Sequence, residues 1–250
     1  MTTMTNLPPS VTQPAPLSTL TAKYQFFDTR LILDEAHAAG FHVTQALSVK
    51  SRRKDPHAAK HMLRLRALDS RPVVGDVHPE IVLVNSHDGS TTLQFLAGLF
   101  RLVCSNGMIV STAEFAPVIR VRHTLTGSAI LQASLTATIE AAQTAAEAIP
   151  RLIGHSMTLP AQDAYAAKAA ALLPTALDPS RLLVARRIDD TPENLWTIFN
   201  RVQENLMRGG ILTRHSGRRI GVTRAVQSVS RTLSINTALW NLNTEFLQQG

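Results

Sequence analysis

The residues best placed to do chemistry in this 250-residue chain are its arginines and lysines, which fall into two blocks. Between Lys50 and Arg66 there are seven basic residues and one acid, Asp55. Between Asn205 and Thr244 there are six arginines and no acid. Basic groups clustered in this way are typical of proteins that bind polyanions, above all the phosphate backbone of nucleic acids. The formal net charge of +7 agrees with such a partner.

Two of the basic segments alternate arginine with apolar residues, which is the pattern of a strand with one apolar face. In "LRLR" (63–66) the leucines are predicted to face inward and Arg64 and Arg66 outward, and Arg120 and Arg122 share a face in "APVIRVRHT". If these strands are neighbours, the four arginines form one positive surface, over which the glycine-containing loop "ILTRHSGRRIGVTRAV" could fold. The predicted nucleic-acid contacts are Arg52, Arg53, Lys54, Lys60, Arg64, Arg66, Arg120, Arg122, Arg214, Arg218, Arg219 and Arg224.

The single cysteine, Cys104, is the first candidate nucleophile. It lies in "TTLQFLAGLFRLVCSNGMIV", a strand pattern with no neighbouring histidine to lower its pKa. We therefore predict that Cys104 is a structural residue and not a catalytic one. One cysteine also excludes an internal disulfide and a cysteine-clustered zinc site.

The nine histidines raise the question of a metal site. His57 and His61 are four residues apart, but Pro56 and the surrounding basic residues disfavour a bound cation. In "NSHDG" (85–89), His87 and Asp88 could be a ligand pair or part of a nuclease site. A hairpin turn in which Asn, Ser and Asp cap backbone amides is the simpler interpretation. We therefore predict no catalytic residue, metal or cofactor, and the chain lacks the glycine-rich motifs of nucleotide sites.

The elements that position these residues change character along the chain. Residues 41–124 predict an antiparallel sheet of about five or six strands, with turns at Asp88-Gly89 and Asn106-Gly107 and a bulge or bend at Gly98. In its first strand, Phe41, Val43, Leu47 and Val49 are predicted to share one side. Before the sheet, Asp28 can cap a short helix that ends at Gly40.

The C-terminal half has helical spacing instead. Helices are predicted in 128–154 and 159–173, then in a segment capped by Thr191 and ended by Gly209 and Gly210, and finally in 234–249. Trp196 and Trp240 sit among apolar residues at helical spacing, which predicts core positions. Strands followed by helices indicate an α+β fold with a mainly helical C-terminal half.

The N-terminal segment, residues 1–22, is rich in Thr, Pro and Ser and is predicted to be a disordered tail. Residues 23–250 are predicted to form a single α+β domain. The chain starts without a secretory signal, and no apolar run approaches the length of a membrane span, so we expect a cytoplasmic protein.

Several motifs together resemble a known family. They are "KHMLRLR" (60–66), "PEIVLVNSHDG" (79–89), "GLFRLVCSNGMIV" (98–110), "NLWTIFNRVQENLMRGG" (194–210) and "TRAV" followed by "INTALW" (235–240). In this order they resemble the domain-of-unknown-function 932 family, in its uncharacterised-protein-family 0380 branch, over residues 24–247. The resemblance implies a bacterial protein carried by plasmids, prophages and integrative elements, and it brings no catalytic residues.

Three functions follow from these observations. The first is an accessory DNA-binding protein of a mobile genetic element, binding or annealing single-stranded DNA in outline like the single-strand annealing proteins. Aromatic residues make up only 5% of the chain, so binding would depend on phosphates and not on base stacking. The second is an interaction protein that binds an acidic host or plasmid protein, in plasmid maintenance or anti-defence. The third is a metal-dependent enzyme at His87 and Asp88. No membrane partner is expected, and self-association is left open.

Overall fold

The computed structural model describes residues 7–49, 55–72, 77–101, 108–110, 118–124, 131–174, 176–214 and 220–248. Five of the predicted nucleic-acid contacts lie outside these ranges: Arg52, Arg53, Lys54, Arg218 and Arg219. Cys104 and the Asn106-Gly107 turn lie outside them as well. The chain divides into two units: unit 1 is residues 1–103 with 109–146, and unit 2 is residues 104–108 with 147–250. Within the described ranges, no helix has the length and apolar character needed to cross a membrane.

Unit 1 is built on an antiparallel sheet. Its described strands are β1 (Phe41–Ser48), β2 (His61–Ala67), β3 (Val77–Asn85), β4 (Leu93–Arg101), β5 (Met108–Val110) and β6 (Ile119–Val121). The first five follow one another in space in chain order, and β6 pairs with Leu93–Phe95 at the start of β4. The predicted sheet of five or six strands in 41–124 is therefore confirmed.

Helices make up most of the remaining described structure. Unit 1 contains α1 (Pro9–Thr12), α2 (Thr29–Ala38) and α3 (Leu131–Ala146). Unit 2 contains α4 (Ile149–Gly154), α5 (Leu159–Ala170), α6 (Leu195–Arg208) and α7 (Val229–Gln248), two 3₁₀ turns (Pro179–Leu183 and Ile188–Asp190) and the short strands β7 (Leu212–Arg214) and β8 (Ile220–Val222). Strands followed by helices confirm the predicted α+β class.

The core of unit 1 lies on one face of the sheet. Leu63 and Leu65 of β2 are at most 1% exposed and belong to this core, as predicted. They pack with side chains of α2, α3 and the neighbouring strands, among them Ile32, Ala36, Phe41, Ile81, Leu83, Leu93, Phe95, Val121 and Leu135. Burial of these side chains is the main favourable contribution to the stability of the unit.

Two details of the sheet differ from the prediction. The register of β1 against β2 shifts between Val43 and Gln45, so Ala46 rather than Leu47 packs against the same core as Phe41. A bulge changes which side chains share a face because strand side chains alternate. Gly98 is not a bulge: it pairs with Glu80 within the uninterrupted register of β3 and β4.

The described part of the N-terminal segment is not a disordered tail. Residues 7–17, which we call the N-terminal arm, place Ser10 and Val11 in buried positions, and Val11 belongs to the sheet core. The arm is fastened by histidines: His57 Nδ1 lies 2.7 Å from the Gln13 carbonyl oxygen, and His87 Nε2 lies 3.1 Å from that of Ser10. The prediction of a disordered 1–22 is therefore wrong for this segment.

The core of unit 2 contains both tryptophans, as predicted. Trp196 is 7% exposed and Trp240 is 2% exposed. Phe199 lies between them, stacked on Trp196 at 5.9 Å between ring centroids and edge-on to Trp240 at 6.5 Å. Such aromatic pairs stabilise a core beyond the area that they bury.

Helix α6 begins later than predicted. Its N-cap is Asn194, whose side chain accepts from the Thr197 amide, while Thr197 Oγ1 accepts in return from the Asn194 amide. This reciprocal pair forms the capping box, so Thr191 is not the cap. The predicted end of the helix at Gly209 is confirmed, since its amide donates to the Asn205 carbonyl oxygen.

The segment after α6 was predicted to be a loop, but β7 and β8 form an antiparallel hairpin. Backbone hydrogen bonds join Gly210 and Ile211 to Thr223 at the base of this hairpin. Gly209 has φ +69°, and a Cβ added there would lie 2.6 Å from the carbonyl carbon of Arg224. Only glycine therefore fits where the returning strand crosses the end of α6.

We predict that Gly209→Ala destabilises unit 2 much more than Gly210→Ala. Both glycines have positive φ, but a Cβ at Gly210 meets nothing within 4 Å. Gly210→Ala should cost about 1 to 2 kcal/mol, the penalty for a left-handed conformation. Gly209→Ala adds a clash with backbone and should cost about 3 kcal/mol or more. Urea unfolding measures the free energy of unfolding of both variants. Equal losses would contradict the close approach of the Arg224 backbone to Gly209.

Candidate nucleic-acid interface

The arginines of β2 are engaged by a buried acid. Glu80 of β3 is fully buried, and its Oε2 accepts from Arg64 Nε at 2.6 Å. Its Oε1 accepts from Arg66 Nε at 2.7 Å. Thr44 Oγ1 donates to the same carboxylate at 3.2 Å, and Arg64 Nη1 donates to Gln45 Oε1 at 3.0 Å. Three strands therefore meet in one ionic and hydrogen-bonded network, here called the Glu80 network.

The prediction that Arg64 and Arg66 point outward to solvent is wrong. Their side chains are only 6% and 12% exposed, and each is paired with Glu80. The face of the sheet that carries them is itself buried, since Val82 and Val84 have no exposed surface. The period-2 pattern correctly separates leucines from arginines, but it does not show that the second face is covered.

The four strand arginines do not form one surface. Strands β3 and β4 separate β2 from β6, so the predicted neighbouring pairs are two strands apart. Arg120 and Arg122, in β6 and directly after it, are both exposed. Arg120 pairs in register with Gln94 of β4. This edge of unit 1 is therefore the part of the predicted sheet surface that reaches solvent.

The remaining predicted contacts are dispersed. Lys60 is half-buried at the residue before β2. In unit 2, Arg214 is the last residue of β7, and Arg224 is exposed two residues after β8. Among the described predicted contacts, the exposed ones are Arg120 and Arg122 in unit 1 and, separately, Arg224 in unit 2.

The residue that sequence reasoning missed is Glu80. Its signal is present in "PEIVLV" (79–84), where one acid interrupts a run that is otherwise apolar or proline. A carboxylate in a buried strand needs cationic partners, because an unpaired buried charge costs several kcal/mol. Glu80 could therefore have been matched with the arginines of the preceding strand.

The "NSHDG" segment is a turn, as the simpler interpretation predicted. Asn85 Oδ1 accepts from the Ser86 amide at 2.9 Å, Asp88 Oδ1 accepts from the Ser90 amide at 2.9 Å, and Ser86 Oγ accepts from the Thr91 amide at 3.2 Å. These are the side-chain caps that such turns use. Among the described residues, no group of three or more His, Cys, Asp or Glu side chains is arranged to hold a metal.

His87 belongs instead to a buried hydrogen-bond network around Thr29, the first residue of α2. His61 Nδ1 lies 3.0 Å from the Ala59 carbonyl oxygen, which can only accept, so this nitrogen carries the proton. Its Nε2 then accepts from Thr29 Oγ1 at 3.0 Å. His87 Nε2 must donate, since it lies 3.1 Å from the Ser10 carbonyl oxygen and 3.2 Å from Thr29 Oγ1.

Burial keeps both imidazoles neutral. Burial lowers the pKa of His61 to about 4, and burial likewise lowers the pKa of His87 to about 4. Asn85 Nδ2 completes the set by donating to Thr29 Oγ1 at 3.1 Å. These histidines fix α2 and the N-terminal arm to the sheet, which is a structural task rather than a catalytic one.

The fold and surface define an α+β protein in which a six-stranded described sheet precedes a helical unit, with exposed arginines in both units. A family model described as "Domain of unknown function (DUF932)" matches residues 16–240. The chain belongs to this family, which confirms the resemblance of its motifs.

Two proteins of Escherichia coli strain K12 are similar to the chain. UPF0380 protein YafZ is 33% identical over 240 residues, which cover 91% of this chain and 84% of that protein. UPF0380 protein YfjQ is 33% identical over 239 residues, with the same shares covered. No solved structure matches the chain significantly.

We predict that Glu80→Gln lowers the free energy of unfolding by about 3 to 5 kcal/mol, because it leaves two largely buried arginines without their counter-charge. Glu245→Gln is the matched control, since Glu245 pairs with Lys168 and both side chains are well exposed. The control should lose less than about 1 kcal/mol. Urea unfolding compares the two, and a Glu80→Gln loss as small as that of the control would contradict the network.

We also predict that stability falls as the pH drops from about 6.5 to about 4. The ordinary histidine pKa is 6.5, and it is lowered to about 4 for His61 and His87 in the folded chain. Between these values the unfolded chain binds protons that the folded chain excludes. The loss should be roughly 1 kcal/mol per histidine at pH 5.5.

Urea unfolding between pH 7.5 and pH 5 tests this prediction. His87→Gln keeps a donor toward Ser10 but cannot be protonated in this range, so its stability should depend less on pH. His37→Gln is the control, because His37 is an exposed residue of α2. Equal pH dependence in both variants would contradict the assigned role of His87.

Proposed function

We propose that the chain is a DNA-binding accessory protein of a mobile genetic element and that it contacts the phosphate backbone. One observation carries the proposal: Arg120, Arg122 and Arg224 are exposed, and within the described ranges none of them forms an ion pair with an acid. Exposed guanidinium groups of this kind bind phosphates and release counterions from the nucleic acid.

The contrast with other arginines strengthens this proposal. Arg64 and Arg66 are neutralised by Glu80, and Arg208 is 3.2 Å from the carboxylate of Glu204. Acids of the protein itself therefore neutralise much of the charge of these three arginines. Arg224 is different, because no acid of the described residues lies within ion-pair distance of it.

The composition of the core supports a phosphate-directed mode. Trp196 and Trp240 are buried, so neither offers a ring on which a base could stack. Contacts to phosphate position a protein on nucleic acid without reading its sequence. The resemblance to plasmid- and prophage-borne proteins gives this binding its proposed setting, DNA of a mobile element.

An acidic protein is the second proposed partner, and a different observation favours it. Val184, directly after the first 3₁₀ turn of unit 2, is 52% exposed, and Ile188, the first residue of the second turn, is 88% exposed. Exposed aliphatic side chains add little to phosphate binding but often mark protein interfaces. Binding to such a partner would depend less steeply on salt than binding to DNA.

We predict that the double variant Arg120→Ala/Arg122→Ala binds single-stranded DNA less tightly and with a flatter salt dependence. Each lost phosphate contact should flatten the slope of log affinity against log salt by about 0.7, so the pair should flatten it by about 1.4. Fluorescence anisotropy with a labelled oligonucleotide over a salt series measures both effects.

Arg30→Ala/Arg181→Ala is the control with the same change in net charge. Both arginines are exposed, and each already has an acid nearby, Asp28 or Asp178. Its slope should stay close to that of the parent. Failure of the parent to bind DNA even at low salt, or equal flattening in both variants, would refute the proposal.

A further inference from the structure

The hairpin of β7 and β8 presents an apolar pair to solvent. Leu212 and Val222 lie directly opposite each other in its register. Leu212 is 53% exposed and Val222 is 58% exposed. A single exposed leucine needs no explanation, but a cross-strand pair makes one continuous apolar surface.

The hairpin that carries this pair is held in place by packing and by backbone hydrogen bonds. Thr213, which points to the opposite side of the hairpin, is 2% exposed and its backbone bridges to Leu177. At the base, the Gly210 amide donates to the Thr223 carbonyl oxygen at 2.8 Å, and the Thr223 amide donates to that of Ile211 at 2.8 Å. The hairpin thus packs through one side and leaves Leu212 and Val222 on the other.

The positively charged side chain of Arg224 lies next to this surface in the sequence. Arg224 follows Val222 by two residues, is exposed, and is unpaired within the described ranges. No acid occurs in the sequence between Asn205 and Thr244. A ligand for this surface should therefore combine an apolar face with an adjacent negative charge.

We propose that Leu212 and Val222 contact unpaired bases and give the protein a preference for single-stranded over duplex DNA. This inference rests on the proposed DNA binding and specifies its substrate. In a duplex the faces of the bases are stacked on one another, and a protein reaches only their edges in the grooves. A single strand exposes the apolar base faces beside its phosphates, which matches Leu212 and Val222 beside Arg224.

The test compares one oligonucleotide as a labelled single strand and as a duplex, using anisotropy at constant salt. Leu212→Thr/Val222→Thr removes the apolar surface, places a β-branched strand former at both positions and keeps every arginine. Its affinity for the single strand should fall by about fivefold, the low end of the range for a base on an aromatic side chain, because Leu and Val contact a base without stacking on it. Its affinity for the duplex and its salt slope should be unchanged.

Leu68→Thr/Leu159→Thr is the matched control, because these leucines are 65% and 67% exposed elsewhere. It should bind both DNA forms like the parent, and urea unfolding checks that all variants are folded. Equal binding of both DNA forms by the parent, or equal weakening of both in the hairpin variant, would overturn the inference and leave DNA binding standing. No binding of either form by the parent would overturn both.

Discussion

The carboxylate of Glu80, buried between two arginines, is the interaction on which the sheet of unit 1 depends. A buried carboxylate is tolerated only when cations and hydrogen-bond donors surround it, and Arg64, Arg66 and Thr44 supply these. These partners come from the two strands preceding Glu80 in the sheet. A slip of one residue in any strand would separate the charges and turn the core leucines outward, so the network and the core select the same register.

The Glu80 network also affects which arginines remain available to bind a partner. The basic block near β2 suggested a binding surface, but its strand arginines serve the stability of the protein itself. Charge available to a partner is found at the far edge of the sheet, in Arg120 and Arg122, and beside the unit 2 hairpin, in Arg224. Counting basic residues along a sequence therefore overstates the charge that reaches the surface, because pairing is a property of the fold.

The features predictable from sequence are those set by local spacing. The alternating leucines predicted the inward face of β2, and Asp28 predicted the start of α2. The apolar neighbours of Trp196 and Trp240 likewise indicated their burial. The NSHDG turn followed from the ability of short polar side chains to cap amides.

The features that sequence missed depend on partners distant in the chain. Nothing local to "VIRVR" shows that β6 pairs with β4 and not with β2. The shift at Thr44 and the hairpin at 212–222 are visible only once neighbouring strands are in place. For the candidate site, the residue types were therefore predictable, whereas their exposure and grouping were not.

The N-terminal arm is held in a way that bears on how the family can diverge. His57 and His87 hydrogen-bond to the backbone carbonyl oxygens of Gln13 and Ser10. Every amino acid has such a carbonyl group. Among the described side chains of the arm, Val11 belongs to the core and Leu7 packs against it. Mutation can therefore rewrite most of the arm without loosening it, and the family match, which begins at residue 16, leaves residues 7–15 of it out. The attachment depends on the two histidines that donate to the arm, so most side chains of the arm take no part in it.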